Sequence, residues 1–481
     1  MAVVILLSRT VQNCLDIQES HYYTWPLKKG LLIKMEKYLN IIKMPLLTRR
    51  QFLWFFSVSS AGVLAGCSTN PVTGQPQLML VSEDSEIRID KENSPHQFSA
   101  DYGIIQDEDL NSYVKQIGKN IASTTHRPNM PYSFQGVNAA YVNAYAFPGG
   151  SIAATRGILV NLNNEAELAA LLGHELGHVN ARHTAEQMSK GLLTSALVGG
   201  IAVYAGKKDS TYGNIAESIG MIGSGMLLAS YSRDNEREAD ALGMQYMVKA
   251  GYSPDGSIGL MDMLKKLSNH KPGSIELMFA THPMSAERYN TAVENARNIY
   301  GYSQKLPVYR ERYMDNTAKL RAMKAAIEEM QNGDSEMAKK NYNNAETHFQ
   351  KALALAPHDY AALAMMSKCL LIQGKYNEAL KYAETAKNVY PKEAHAHHIA
   401  GFAKMKKQNF DAAYEEFNNY EKALSGNPST IFYKGYCKEE MKHFKESASE
   451  YNRYLQIVKN GEQATYAYQR LVEWGYIKPA K

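Results

Sequence analysis

Apolar positions along this chain follow three regimes: a nearly continuous run from Phe52 to Ala65, mixed helical and strand spacing from about 81 to 300, and a fixed recurrence from about 326 onward. Helical spacing is seen over Glu83–Lys91 and Asp109–Ser123. Tyr132–Phe147 has strand character, turns at Pro148-Gly149-Gly150, and is followed by strand-like Ser151–Thr155 and Ile158–Asn161. The next segment predicts a buried helix. Asn163 or Asn164 suits the N-cap, Glu165 and Glu167 favour the first turn, and Leu168, Leu171, Leu172 and Leu176 form an apolar body.

Beyond residue 326 the pattern repeats every 34 residues. Tyr342, Tyr376, Phe410 and Phe444 share one position, and Ala345, Ala379, Ala413 and Ser447 another. Gly333, Ser367, Gly401 and Gly435 share a third, while Phe349, Ala383, Phe417 and Tyr451 share a fourth; Pro357 and Pro391 close the first two units. Small residues where two helices cross and aromatics between units resemble the tetratricopeptide repeat. The register gives four units, the last degenerate, with Thr465–Tyr476 as a capping helix. Thr317–Gln331 predicts a joining helix with Asp315 or Asn316 as its cap. Arrays of this kind stack into a superhelix with a concave face suited to peptides or partner proteins. Cys369 and Cys437 occupy one repeat position two units apart. At roughly 10 Å per stacked unit their sulfurs are about 20 Å apart, too far for a disulfide. They read as buried small residues.

Composition adds boundaries. The 481 residues suffice for two or three domains, and the +5 net charge is dispersed, with no Lys/Arg block interleaved with aromatics. Nucleic acid is therefore not an expected partner. Cys14, Cys67, Cys369 and Cys437 form neither a CxxC pair nor a disulfide framework. Thr48-Arg49-Arg50-Gln51-Phe52-Leu53 is a twin-arginine pattern leading into the apolar run, which ends in Leu64-Ala65-Gly66-Cys67. That is the layout of an export signal. Its end resembles a bacterial lipobox, which makes Cys67 the lipidated first residue of the mature protein. Ser68 in place of Asp points, by resemblance to the enterobacterial sorting rule, to the outer membrane. Residues 1–43 read as an upstream extension before a true start at Met44, 44–66 as the signal, and 67–80 as a turn-rich linker through Asn70-Pro71-Val72-Thr73-Gly74.

The buried helix carries Leu172-Gly173-His174-Glu175-Leu176-Gly177-His178. His174 and His178 lie one turn apart on one face, where both can ligate one tetrahedral zinc. Glu175 lies beside the open position, placed to take a proton from the activated water and pass it to the leaving amine. A third ligand is needed. The metzincin continuation would require Gly at 181 and His at 184, but the chain has Ala181 and Thr184, with His183 one position off. A second helix supplies an alternative in Tyr231-Ser232-Arg233-Asp234-Asn235-Glu236-Arg237-Glu238-Ala239-Asp240. Glu236 and Asp240 share a face, so Glu236 can ligate while Asp240 supports a ligand histidine. Glu238 lies about 200° around the helix from each and faces away. Upstream, Asn143, Ala144, Tyr145 and Ala146 read either as an edge strand able to hydrogen-bond an extended substrate or as part of an ordinary hairpin.

His-Glu-Leu-Gly-His-Val-Asn-Ala-Arg-His, then Tyr-Ser-Arg-Asp-Asn-Glu-Arg-Glu-Ala-Asp, then Thr281-His282-Pro283 with Arg288, in this order, resemble the M48 family of zinc metallopeptidases. Asn143-Ala144-Tyr145-Ala146-Phe147-Pro148-Gly149-Gly150 and Thr69-Asn70-Pro71-Val72-Thr73-Gly74 are similar to exported bacterial members, and the match spans about 67 to 300. The resemblance implies one zinc per chain on His174, His178 and Glu236, Glu175 as general base and Asp240 as a supporting acid. His282 has two functional readings, oxyanion stabilisation with Arg288 or a fourth zinc ligand that holds the enzyme latent, besides a local structural role with Arg288. Integral family members carry spanning helices near here. The stretches Gly191–Gly206 and Ile215–Ser230, about 16 residues each, fall short of the roughly 20 a bilayer requires. They read as packed helices, with Lys207–Asn214 placed to lid the cleft.

The expected fold class is α+β: a mainly helical, gluzincin-like HExxH domain with a small sheet over 81–300, a connecting helix within 301–331, and an all-α repeat solenoid over 332–481. The resemblance implies an exported, lipid-anchored zinc endopeptidase on the periplasmic side. Its clients would be unfolded or misassembled envelope proteins, with the repeats recruiting them or an outer-membrane assembly machine. The alternative is a chaperone or scaffold with latent proteolysis, against which the intact Glu175 argues. A site for prenylated peptides, as in eukaryotic relatives, is disfavoured because no spanning helices surround it.

Overall fold

The computed structural model describes residues 67–198, 231–270 and 272–478. The upstream extension, the twin-arginine signal, the stretches 199–206 and 215–230 and the expected lid at 207–214 between them lie outside the described residues, and of Cys67 only the backbone is described.

β1 (Cys67–Thr69) pairs antiparallel with β2 (Pro76–Leu78). The Asn70 side chain closes the turn by accepting the Val72 and Thr73 N–H groups at 2.8 and 3.2 Å. α1 (Glu83–Ala100), capped by Ser82, runs well past Lys91 and through Pro95. The sequence concealed this length because the buried face is polar, built from Glu86, Asp90, Ser94, Gln97 and Ser99 alongside Phe98. α2 (Glu108–Ala122) instead buries Leu110, Tyr113, Val114, Ile117 and Ile121 at helical spacing.

A three-stranded sheet follows, in the order β3-β5-β4. β3 (Ser133–Val137) is parallel to β5 (Ser151–Thr155), and β4 (Ala144–Ala146) is antiparallel to β5 at the sheet edge. The expected strand over 132–147 is thus two short strands. The expected strand at 158–161 is corrected to a helical turn, α3 (Arg156–Leu159), because Thr155 caps it by accepting the Ile158 N–H.

α4 (Glu165–Asn180), capped by Asn164, is buried along its whole length. Around it lie α2, the sheet, α5 (His183–Val198), α6 (Arg233–Lys249) and α7 (Asp255–His270). α8 (Pro272–Thr281) and α9 (Ala286–Glu294) complete this region. Among the described residues no helix is long and apolar enough to cross a membrane.

α10 (Arg310–Asn316) precedes the expected joining helix, which is itself two pieces, α11 (Ala318–Ala322) and α12 (Lys324–Ala338). Tertiary anchors break it. Tyr313 donates to Leu159 O, and Arg321 donates to the Val160 and Leu162 carbonyls. Neither Asp315 nor Asn316 caps a helix.

The array continues as α13 (Tyr342–Leu355), α14 (Tyr360–Ile372), α15 (Tyr376–Val389), α16 (His395–Lys406), α17 (Phe410–Ala423), α18 (Pro428–Glu440), α19 (Phe444–Ile457) and α20 (Glu462–Glu473). The recurring glycines are matched to the recurring aromatics. A Cβ on Gly333 would meet the Phe349 ring at 2.3 Å, and Cβ atoms on Gly401 and Gly435 would meet Phe417 and Tyr451 at 2.7 Å. In the second unit the ring is replaced by Ala383, and the larger Ser367 occupies the glycine position, donating to Ala379 O at 2.6 Å. Cys369 and Cys437 are buried and form no disulfide, and the Cys369 thiol donates to Tyr342 O at 3.5 Å.

The array's first helices face the N-terminal region. Gln331 donates to Ala140 O at 2.7 Å, Arg156 grips Asp359 at 2.6 and 3.0 Å, and Ser99 donates to Glu393. Tyr102 meets His395 edge-on at 5.4 Å. One apolar cluster runs from Leu110 on α2 through Leu172 and Met330 to Phe417.

Candidate active site

α4 and α6 approach along a seam of small residues. A Cβ on Gly173 would lie 2.8 Å from Gly243 O, and one on Gly177 would lie 2.9 Å from Ala239 Cα and O. Only bare backbone permits this approach. It carries Glu236 to the two histidines on α4. His174 Nε2 and His178 Nε2 are 3.1 Å apart and lie 3.6 and 3.4 Å from the Glu236 carboxylate. His282, just after α8, adds Nδ1 at 3.0 Å from Glu236 and 3.4 Å from His174 Nε2. One donor atom from each of these four buried residues lies within 4.8 Å of the others.

Asp240, one turn after Glu236, accepts from His174 Nδ1 at 2.9 Å. Arg288 on α9 grips Asp240 with two bonds of 2.7 and 2.8 Å, and its Nη1 reaches Pro283 O at 2.9 Å and Glu236 at 2.6 Å. Its guanidinium is thereby committed to holding the acidic pair and the His282 loop.

The electrostatics separate the groups. Burial pushes the Glu175 carboxyl above its ordinary value, with His282 and His174 opposing only in part. Burial also opposes charge on Glu236, but hydrogen bonds to His178 and His282 override it and hold the carboxyl far below its usual range. Burial lowers His178, whereas for His174 the bond to Asp240 and the charge of Glu236 overcome burial and raise it. Asp240 is lowered against burial by Arg288 and His174.

Convergent imidazole and carboxylate donors are the ligand types that hold zinc and related divalent metals. Glu175 completes the fit: its carboxylate is fully buried, yet neither oxygen has a hydrogen-bond partner among the described residues. Such a group is retained where it has a chemical task.

A groove leads to this cluster along β4, lined by Asn143, Tyr145, Ala146 and Phe147 on one side and Thr184, Tyr231 and His282 on the other. Thr155 N donates to Asn143 O and Phe147 N to Ser151 O, so antiparallel alternation turns the Ala144 and Ala146 backbone groups away from β5. The Tyr145 ring points inward, its hydroxyl bonded to Asp101. A second, apolar pocket lies beyond His174 and Asp240, between Leu171, Met244, Met261, Met278 and Met284.

Three contacts were not foreseen. His183 Nδ1 sits 2.9 Å from His178 Nδ1, Glu238 lies 3.2 Å from His183 Nε2, and Tyr231 stacks on the His178 ring at 3.8 Å. His183 had registered only as a histidine out of place for a third ligand. Glu238 does turn from Glu236 and Asp240, but toward a histidine the linear sequence could not place beside it.

Comparison with known proteins agrees with this geometry. Residues 108–296 match the peptidase family M48 model, and residues 336–401 match a tetratricopeptide repeat model. The chain is 29% identical over 227 residues to the putative β-barrel assembly-enhancing protease of Vibrio cholerae, covering 45% of this chain and 44% of that one. It is 23% identical over 310 residues to the β-barrel assembly-enhancing protease of Escherichia coli K12, covering 60% and 63%. It is 30% identical over 180 residues to the metalloprotease LoiP of the same organism, covering 37% and 66%. The chain thus spans about half of the first relative and under two thirds of the second. Motif order, the His-His-Glu-His cluster and both family models converge: this chain carries a peptidase family M48 domain followed by tetratricopeptide repeats.

Proposed function

We propose that the protein is a zinc-dependent endopeptidase of the bacterial envelope that hydrolyses misfolded or misassembled envelope proteins. The observation that carries the reading is the buried convergence of His174, His178 and Glu236 beside an unpartnered Glu175. Zinc on those three residues would supply Lewis-acid polarisation of the scissile carbonyl and acidify a water. Glu175, its proton affinity raised by burial, would accept a proton from such a water and return it to the departing amine. Asp240 fixes the His174 ring through Nδ1, and Arg288 positions Asp240 and Glu236. The outward backbone groups of Ala144 and Ala146 pair with an extended substrate strand, with Asn143 and Tyr145 tied into the sheet and the buried Asp101 cluster behind it.

Of the readings for His282, proximity to Glu236 and His174 favours a fourth ligand that keeps the site latent until its loop moves. The names of two relatives support clients or partners in β-barrel assembly. Export by the twin-arginine segment and lipidation at Cys67, on the periplasmic side of the outer membrane, complete the proposal. A chaperone or scaffold with latent proteolysis is the second reading, favoured specifically by the place of His282 in the cluster.

The test is degradation of an unfolded model protein by wild type, Glu175→Gln and His282→Ala, with zinc content measured for each. The proposal expects Glu175→Gln to keep zinc and lose cleavage, and His282→Ala to cleave faster. Zinc bound by all three with no cleavage by any would transfer the case to the scaffold.

A further inference from the structure

We propose that His183 and Glu238 form a positioning relay for His178, an inference that rests on reading the cluster as a metal site. His178 turns Nε2 toward His174 and Glu236, at 3.1 and 3.4 Å. For Nε2 to offer a lone pair there, the ring proton must sit on Nδ1. That proton needs an acceptor, and the atom facing it is His183 Nδ1 at 2.9 Å. His183 therefore accepts at Nδ1 and carries its own proton on Nε2, which lies 3.2 Å from Glu238 Oε2. Each ring holds one proton and each proton has one acceptor, so a single tautomer assignment satisfies the chain from carboxylate to ligand. His174 rests directly on a carboxylate, Asp240; His178 reaches one through an intervening imidazole.

The backbone is bent to make this contact. Arg182, immediately before His183, has a φ of +61°, a conformation unfavourable for a side-chain-bearing residue. It is locked there by Nε to Glu86 at 3.0 Å and Nη2 to Val81 O at 2.8 Å. This left-handed residue reverses the chain at the end of α4 and folds His183 back beneath His178, where it is buried. Strain held in place by a buried ion pair next to a candidate ligand is a functional signature. Tyr231, stacked on the His178 ring with centroids 3.8 Å apart, restrains ring rotation by contact, leaving His183 to fix the proton.

The experiment measures zinc affinity of the full chain by competition with a chromogenic chelator, for wild type, His183→Ala, His183→Asn and Glu238→Gln. Loss of an outer partner of a ligand histidine weakens metal binding about 10- to 100-fold, which is the result expected for His183→Ala. His183→Asn, which restores an acceptor oxygen, recovers most of that loss, and a purely space-filling role predicts no difference between the two variants. Glu238→Gln keeps its shape, at a side chain 29% exposed, and weakens binding by a smaller factor. If His183→Ala does not fold, His183→Phe, which keeps a ring in place and offers no acceptor, takes its place. Affinities within twofold of wild type across the folded variants would overturn the relay alone. Wild type that binds no zinc would overturn the metal site and the relay together.

Discussion

Replacing Gly177 with alanine tests how far the seam between α4 and α6 controls the site. The new Cβ would lie 2.9 Å from both Cα and O of Ala239, where ordinary contact begins at 3.4 Å. The clash is with backbone, so the helices must part by about half an ångström, against the roughly 0.2 Å within which metal–ligand distances are held. Overpacking costs about 1–3 kcal/mol, and alanine's better helix propensity returns about 1 kcal/mol. The expected net loss of stability is therefore about 0–2 kcal/mol. Zinc affinity should fall more than tenfold, because Glu236 moves with α6 while His178 stays with α4. Thermal unfolding of the apo protein and chelator competition read the two quantities. A Gly177→Ala protein that binds zinc within twofold of wild type and unfolds at a higher temperature than wild type would refute this reasoning.

Arg156→Met removes one side of the buried pair with Asp359 and leaves a buried carboxylate unpaired, at an expected loss of about 3–5 kcal/mol in urea unfolding. Adding Asp359→Leu should recover much of it, and a single-variant loss below about 1 kcal/mol would contradict the burial argument. His395 and His398, buried without hydrogen-bond partners among the described residues, have their pKa values pushed down by burial to about 3. Below the ordinary value of about 6.5 the unfolded chain binds protons that the folded chain excludes, so each histidine lowers stability by up to about 1.4 kcal/mol per pH unit as pH falls toward 3. His398→Phe should flatten that acid limb in thermal melts between pH 7 and 5, and an unchanged slope would exclude the mechanism.

The features legible in the sequence were those set by local spacing. His174 and His178, and likewise Glu236 and Asp240, are one helical turn apart, and each pair arrives on one face as that spacing requires. The 34-residue register located the helix pairs because its small and aromatic positions touch within the array itself. What stayed hidden depends on partners distant in the chain. α1 buries acids and serines that read as surface, because their partners include Arg127, Arg182, Ser151 and Glu393. The joining helix breaks where Tyr313 and Arg321 bond to α3 and the residues after it. His183 became meaningful only once the left-handed turn at Arg182 set it under His178.

The part of the array where Gln331, Asp359, Glu393 and His395 meet the M48 region already has a neighbour joined to it through the same chain. A tethered occupant acts at an effective concentration on the order of millimolar. A free peptide present at micromolar levels displaces it only with an intrinsic affinity about a thousandfold greater. If the proposed clients compete for this face, the contact would act as a threshold, yielding only to a partner that binds tightly or presents several points of attachment at once.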